Sequence, residues 1–229
     1  MLFWDPTFVL LVPAILFAMI AQYRVFSTFQ KYSKVNNRND VTAYETVRRI
    51  LDEHGLNKIK IEHINGILTD HFDPKNNVIR LSDSVYGSKS VAAIGVAAHE
   101  AGHAIQYAEN YLPIRIRSAI IPVTQFGSRL AFPLVLIGLL FYNSMSWMIN
   151  FGIILYSTVV LFQLITLPVE FNASRRALQM IDKNYVLGSD ELKSVKKVLG
   201  AAALTYVAAT FSAVMSLLRL ILISNRRKR

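Results

Sequence analysis

The chain has 229 residues, 53% of them hydrophobic and 17% charged, with a net charge of +10 and no cysteine. Without cysteine there are no disulfides, no thiolate metal ligands and no cysteine-based catalysis, so any metal must be held by His, Asp or Glu. Low charge with long uncharged runs excludes an ordinary soluble domain, and basic residues grouped beside apolar segments fit anchoring to anionic lipid, not nucleic acid.

Residues 6–23 carry no charge and suffice for one span. Asp5 precedes the run, no small-x-small cleavage site follows it, and Arg24, Lys31, Lys34 and Arg38 come directly after. This reads as an uncleaved anchor, residues 1–26, with the following chain on the cytoplasmic side by the positive-inside rule. Residues 27–118 read as a small cytoplasmic α+β domain. Thr42 and Glu45 offer a capping box, Val47, Ile50 and Leu51 an apolar face, and His54-Gly55 a helix end. Ile59, Ile61 and His63 alternate as a short strand, and a turn at Asp73–Asn77 leads into a second at Val78–Leu81. A helix is expected from about Ser90 to Glu109, with Pro113 ending it. Such a domain is small for a core of its own and should lean on the flanking helices.

From Leu130 through Val169 no residue is charged. Asn143, Ser144 and Ser146 divide this stretch into a hairpin, about 120–142 and 148–168, within a segment 119–169. Residues 170–229 follow as C-terminal helices. Val198–Leu218 is long enough to cross, but Thr205, Tyr206, Thr210, Ser212 and Ser216 soften it and Arg219 interrupts its end. Crossing would put the basic run Asn225–Arg229 outside, so an interfacial or domain-packed helix is slightly favoured.

His99-Glu100-Ala101-Gly102-His103 carries the chemistry. Two histidines four apart share one helix face and can hold one zinc ion, while the glutamate between them can take a proton from attacking water. The alanines and glycine around them keep the helix thin enough for close approach. The plain alternative, two histidines merely hydrogen-bonded in a packed helix, would bury several polar groups in need of partners. A catalytic zinc wants a third protein ligand. The pattern H-E-x-x-H-x-x-G-x-x-H is absent, since Ala-Ile-Gln-Tyr-Ala-Glu follows His103. His54, His63 and His71 remain candidates without a favouring spacing. Glu170, the first acidic residue after the hairpin, is the best of the rest. By residue chemistry alone it is as readily a solvated helix-end carboxylate offsetting Arg175 or Arg176.

The pieces Thr69–Pro74, Ile79–Ser82, Ser90–Ala93, His99–Gln106, Glu170–Ser174 and Leu204–Ala209 resemble the bacterial membrane-bound neutral zinc metallopeptidases, the YugP-like group, over essentially the whole length. In layout the chain is similar, more distantly, to membrane peptidases of the HtpX and CAAX-protease type. The resemblance implies a mainly α membrane protein with a zincin-like (gluzincin) catalytic domain, a small β element and three or four transmembrane helices. It implies Glu170 as third ligand beside His99 and His103, one Zn²⁺ per chain, and Asn77–Ser82 as an edge strand holding an extended substrate. Ser174 stands where the wider pattern has an aspartate buttressing a zinc histidine, so that support must come from Ser174, Asn172 or elsewhere.

The expected activity is therefore zinc-dependent endopeptidase action (EC 3.4.24.-) on peptides or membrane proteins. Glu100 is the general base, and Tyr206, His71 and Arg175 are candidates for stabilising the oxyanion. The expected setting is a bacterial cell membrane, multi-pass, with the site on the cytoplasmic side; the sequence leaves the oligomeric state open. The alternative is a non-catalytic metal-binding membrane scaffold. Transport is disfavoured because the spans lack internal charges.

Overall fold

The computed structural model describes residues 6–184 and 186–227; Asp5 and the last two residues of the basic tail lie outside them. A 3₁₀ turn, Pro6–Leu10, leads into α1 (Leu11–Tyr32), followed by α2 (Ala43–Glu53), β1 (Lys60–Ile64), β2 (His71–Asp73) and β3 (Val78–Ser82). Then come α3 (Val91–Ala108), α4 (Leu112–Leu140), the single turn α5 (Tyr142–Met145), α6 (Trp147–Lys183) and α7 (Ser189–Arg227). The chain is a mainly helical membrane protein. Among the described residues, four helices are long and apolar enough to cross a bilayer, those of Pro6–Tyr32, Leu112–Leu140, Trp147–Lys183 and Ser189–Asn225.

Local chemistry explains the element ends. Thr42 caps α2 in a full capping box with Glu45, which satisfies two otherwise orphaned N–H groups. Gly55 follows the His54 cap at φ +68°, a left-handed conformation that costs glycine least. Ser90 accepts from the Ala93 N–H and starts α3. Pro113 does more than end a helix: it stands in the first turn of α4, where its missing N–H costs nothing. The final helix is one continuous element from Ser189, well beyond the expected Val198–Leu218, so its apolar run has helical flanks on both sides.

Residues 23–112 and 169–204 form one compact unit. Its core joins Val47, Ile50 and Leu51 of α2, Ile79 and Leu81 of β3 and the alanine face of α3 to Ala177, Ile181, Val195 and Leu199. The small domain thus completes its core with the chain after residue 169. Its three-stranded sheet has the order β1-β3-β2, with β1 parallel and β2 antiparallel to β3. The expected edge strand Asn77–Ser82 is therefore wrong. Its strand is central, because both of its sides are taken, and β2 forms the edge towards α3.

The other unit comprises the helical segments up to Gln22, Pro113–Pro168 and those from Thr205 onward. Ala131, Val135, Ile149, Tyr156, Val160, Ala213 and Leu220 make its core. Helices meet closely at glycines: a Cβ on Gly127 would lie 2.8 Å from the Leu155 carbonyl oxygen, and one on Gly152 2.8 Å from that of Ala131. Small residues at such contacts let helix backbones pack where lipid removes the hydrophobic drive. Val9, Met19, Phe126 and Ile154 point outward, a surface suited to acyl chains. The guanidinium of Arg219, the charge that interrupts the last apolar run, sits 5.6 Å from the centre of the Phe8 ring.

Candidate metal centre

Helical spacing puts His99 and His103 on successive turns of α3, with ring centres 4.7 Å apart. Residue 170 of α6 comes beside them because two backbones nearly touch. A Cβ on Gly102 would meet the Ala173 carbonyl oxygen at 2.7 Å. Any side chain at position 102 would push α6 away, so the glycine is a requirement of the approach. Gln106, fully buried, ties the same helices together: its Nε2 donates to the Val169 carbonyl and to Asn172 Oδ1, each at 2.9 Å.

The result is one group of three donors. Glu170 is 3% exposed, and its Oε2 lies 3.2 Å from His99 Nε2 and 3.4 Å from His103 Nε2. Among the described residues this is the group of His, Asp and Glu side chains able to hold a metal ion, with all three ligand atoms within 4.8 Å of one another. The remaining histidines are engaged elsewhere. His54 Nδ1 faces the Ile50 carbonyl, His63 Nε2 lies 2.7 Å from Asp83, and His71 Nδ1 faces the Thr69 carbonyl.

The other nitrogen of each candidate ligand is also held. With its amide N–H groups spent on two acceptors, Gln106 turns Oε1 to His103 Nδ1 at 3.0 Å. An amide oxygen only accepts, so Nδ1 carries a proton, and in the neutral ring Nε2 is the nitrogen left with a lone pair for a metal. Ser174 Oγ sits 3.1 Å from His99 Nδ1, where its hydroxyl can accept the corresponding proton. This is the position where the wider pattern has an aspartate. Asn172 supports the arrangement from behind, its Oδ1 accepting from Gln106 and, at 2.8 Å, from Arg176.

Glu100 points to the same pocket but keeps a separate partner. The Phe72 N–H on the edge strand β2 donates to its Oε2 at 2.9 Å. Burial pushes the Glu100 carboxyl above the ordinary carboxylate range, opposed by the charges of His103 and His99. Burial also works against a charged His103, yet the bond that Glu170 accepts from it and the charges of Glu100 and Glu170 raise its pKa.

A sequence model of the family described as "Putative neutral zinc metallopeptidase" matches residues 7–225. The chain belongs to that family. It is 49% identical over 203 residues to the "Putative membrane protease YugP" of Bacillus subtilis (strain 168), covering 89% of each chain. No solved structure matches it.

The donor set fits the ion that the family's description implies. Ligand atoms about 2.0–2.1 Å from a tetrahedral zinc lie about 3.3–3.4 Å apart, and the two measured separations, 3.2 and 3.4 Å, bracket that value. Two imidazoles and one carboxylate also leave a fourth position open, as a catalytic site needs. Gln106 closes the segment His99–Gln106, and the sequence alone assigns it no role. Its one available signal was its spacing, three residues past His103 on the same helix face. Replacing Ser174 by alanine, or Gln106 by leucine, should weaken zinc binding about 10–100-fold while helix content is kept. Chelator competition alongside circular dichroism checks both.

Proposed function

We propose that this chain is a membrane-bound zinc endopeptidase that takes one zinc per chain on His99, His103 and Glu170 and uses Glu100 as general base. The observation that carries the reading is the pairing of a three-donor cluster with a separately held, buried carboxylate on the same helix turn. Zinc in such a site supplies Lewis acidity, which acidifies water and polarises the scissile carbonyl.

The chain's own residues supply the rest. The Phe72 N–H fixes one oxygen of Glu100, so the carboxylate can take a proton from the attacking water and return it to the leaving amine. Gln106 and Ser174 hold the two imidazoles in the tautomer that presents Nε2. The edge strand β2 offers backbone groups beside Glu100 along which an extended peptide can lie, taking the part first expected of Asn77–Ser82. Of the oxyanion candidates, Arg175 is exposed on α6 and His71 turns towards Thr69 and Arg80.

The basic residues after Tyr23 support a multi-pass bacterial cell-membrane protein with its site on the cytoplasmic side, and peptides or membrane-protein segments as substrates. Purified protein should carry about one zinc and cleave casein or a solubilised membrane protein. A chelator should abolish cleavage and added zinc restore it. Cleavage indifferent to metal removal would defeat the proposal.

A further inference from the structure

A cavity of about 510 Å³ lies between α1 and α7, within the unit formed by residues 23–112 and 169–204. Arg24, Ser27, Thr28 and Lys31 line it from α1 at spacings of three, four and seven, a single stripe on one helix face. Lys197, Ala201 and Leu204 line it from α7 at spacings of four and seven, a second stripe, and the buried Tyr32 closes it. No carboxylate lines the cavity, and among the described residues none of the three cations forms an ion pair. The Lys31 ammonium lies 5.6 Å from the Tyr32 ring.

The α1 stripe begins at the charge boundary of its helix, and the α7 stripe crosses that of its own. On α1 the uncharged run of residues 6–23 ends at Arg24; on α7 the uncharged run of residues 198–218 begins just after Lys197. Arg24 and Lys197 thus stand where two spans leave the apolar layer, Lys31 lies about 10 Å further out along α1, and Leu204 about 10 Å further into the α7 run at 1.5 Å per residue. We propose that this cavity binds the headgroup of an anionic phospholipid. The phosphate sits among Arg24, Lys31 and Lys197, the Ser27 and Thr28 hydroxyls bond its glycerol end, and an acyl chain departs along Ala201 and Leu204. A free phosphate would use neither the apolar end nor most of the volume. The combination of interfacial cations and an apolar exit belongs to a lipid.

The test uses the full-length protein in detergent with short-chain phosphatidylglycerol, phosphatidylcholine and inorganic phosphate as separate probes. Phosphatidylglycerol should bind saturably at one site and phosphatidylcholine far more weakly. The double variant R24A/K197A should lose at least about 10-fold in phosphatidylglycerol affinity, about 1 kcal/mol per cation removed at the membrane surface. The charge-keeping R24K/K197R should retain it, and K58A/K75A, which removes two exposed lysines elsewhere, should leave it unchanged. Equal losses in R24A/K197A and K58A/K75A would reduce the effect to net charge and overturn the site, as would unchanged binding in R24A/K197A. Inorganic phosphate binding at the same place with comparable affinity would replace the lipid by a free anion. Melting temperatures of the variants separate lost binding from lost fold.

Discussion

Glu100→Gln should keep the full zinc content and lose about 10²–10⁴-fold in peptide cleavage, the range a general base contributes. Glutamine has the shape of glutamate and can still accept the Phe72 N–H, so the local packing and the tie to β2 survive. What disappears is the lone pair that takes the proton. His99, His103 and Glu170 should keep their geometry, because they hold one another and the two imidazoles are tied to Gln106 and Ser174. Metal analysis and initial rates on the same preparation therefore separate the two roles of the H-E-x-x-H segment. A variant with zinc and wild-type cleavage would leave Glu100 as a structural charge and remove the peptidase reading. If the wild type itself holds zinc and cleaves nothing, the metal-binding scaffold becomes the better account.

Much of this arrangement was legible because it is local. The histidine pair, the Thr42 capping box, the Gly55 stop and the two longer strands follow from spacing within one or two turns. What stayed hidden depends on contacts across the chain. β2 has three residues, two of them polar, too few to show alternation; it is pinned by Asp73, which accepts from Lys75, Asn76 and Arg80. Without β2 in view, β3 passes for an edge. Gln106 looks like an ordinary polar position until α6 brings the Val169 carbonyl and Asn172 against it, 63 and 66 residues away. Glu170 could not be separated from a solvated helix-end carboxylate by its neighbours in sequence. Its burial comes from the Gly102–Ala173 contact, a feature of two helices together.

Glu170→Ala should abolish stable zinc binding and, with it, cleavage. Its loss should exceed the about 100-fold ceiling for removing an outer-shell partner, because two imidazoles alone make an incomplete site. The α3–α6 contact should survive the substitution, since it rests on Gly102 against the Ala173 backbone and on the Gln106 bonds. Zinc titration followed by thermal melting reads this without any substrate: an ion that binds only the folded form raises the melting temperature in proportion to the logarithm of its concentration over Kd. Wild type should show that rise at micromolar zinc and Glu170→Ala should not, each measured against its own melting temperature in chelator. Removing the carboxylate from between two imidazoles also leaves them facing each other, so a retained metal would have to recruit a new oxygen or nitrogen. His54, His63 and His71 each already spend a ring nitrogen on another partner. Wild-type zinc affinity in Glu170→Ala would therefore mean that one of those bonds breaks and its histidine is the true third ligand. Pairing each histidine substitution with Glu170→Ala would identify which.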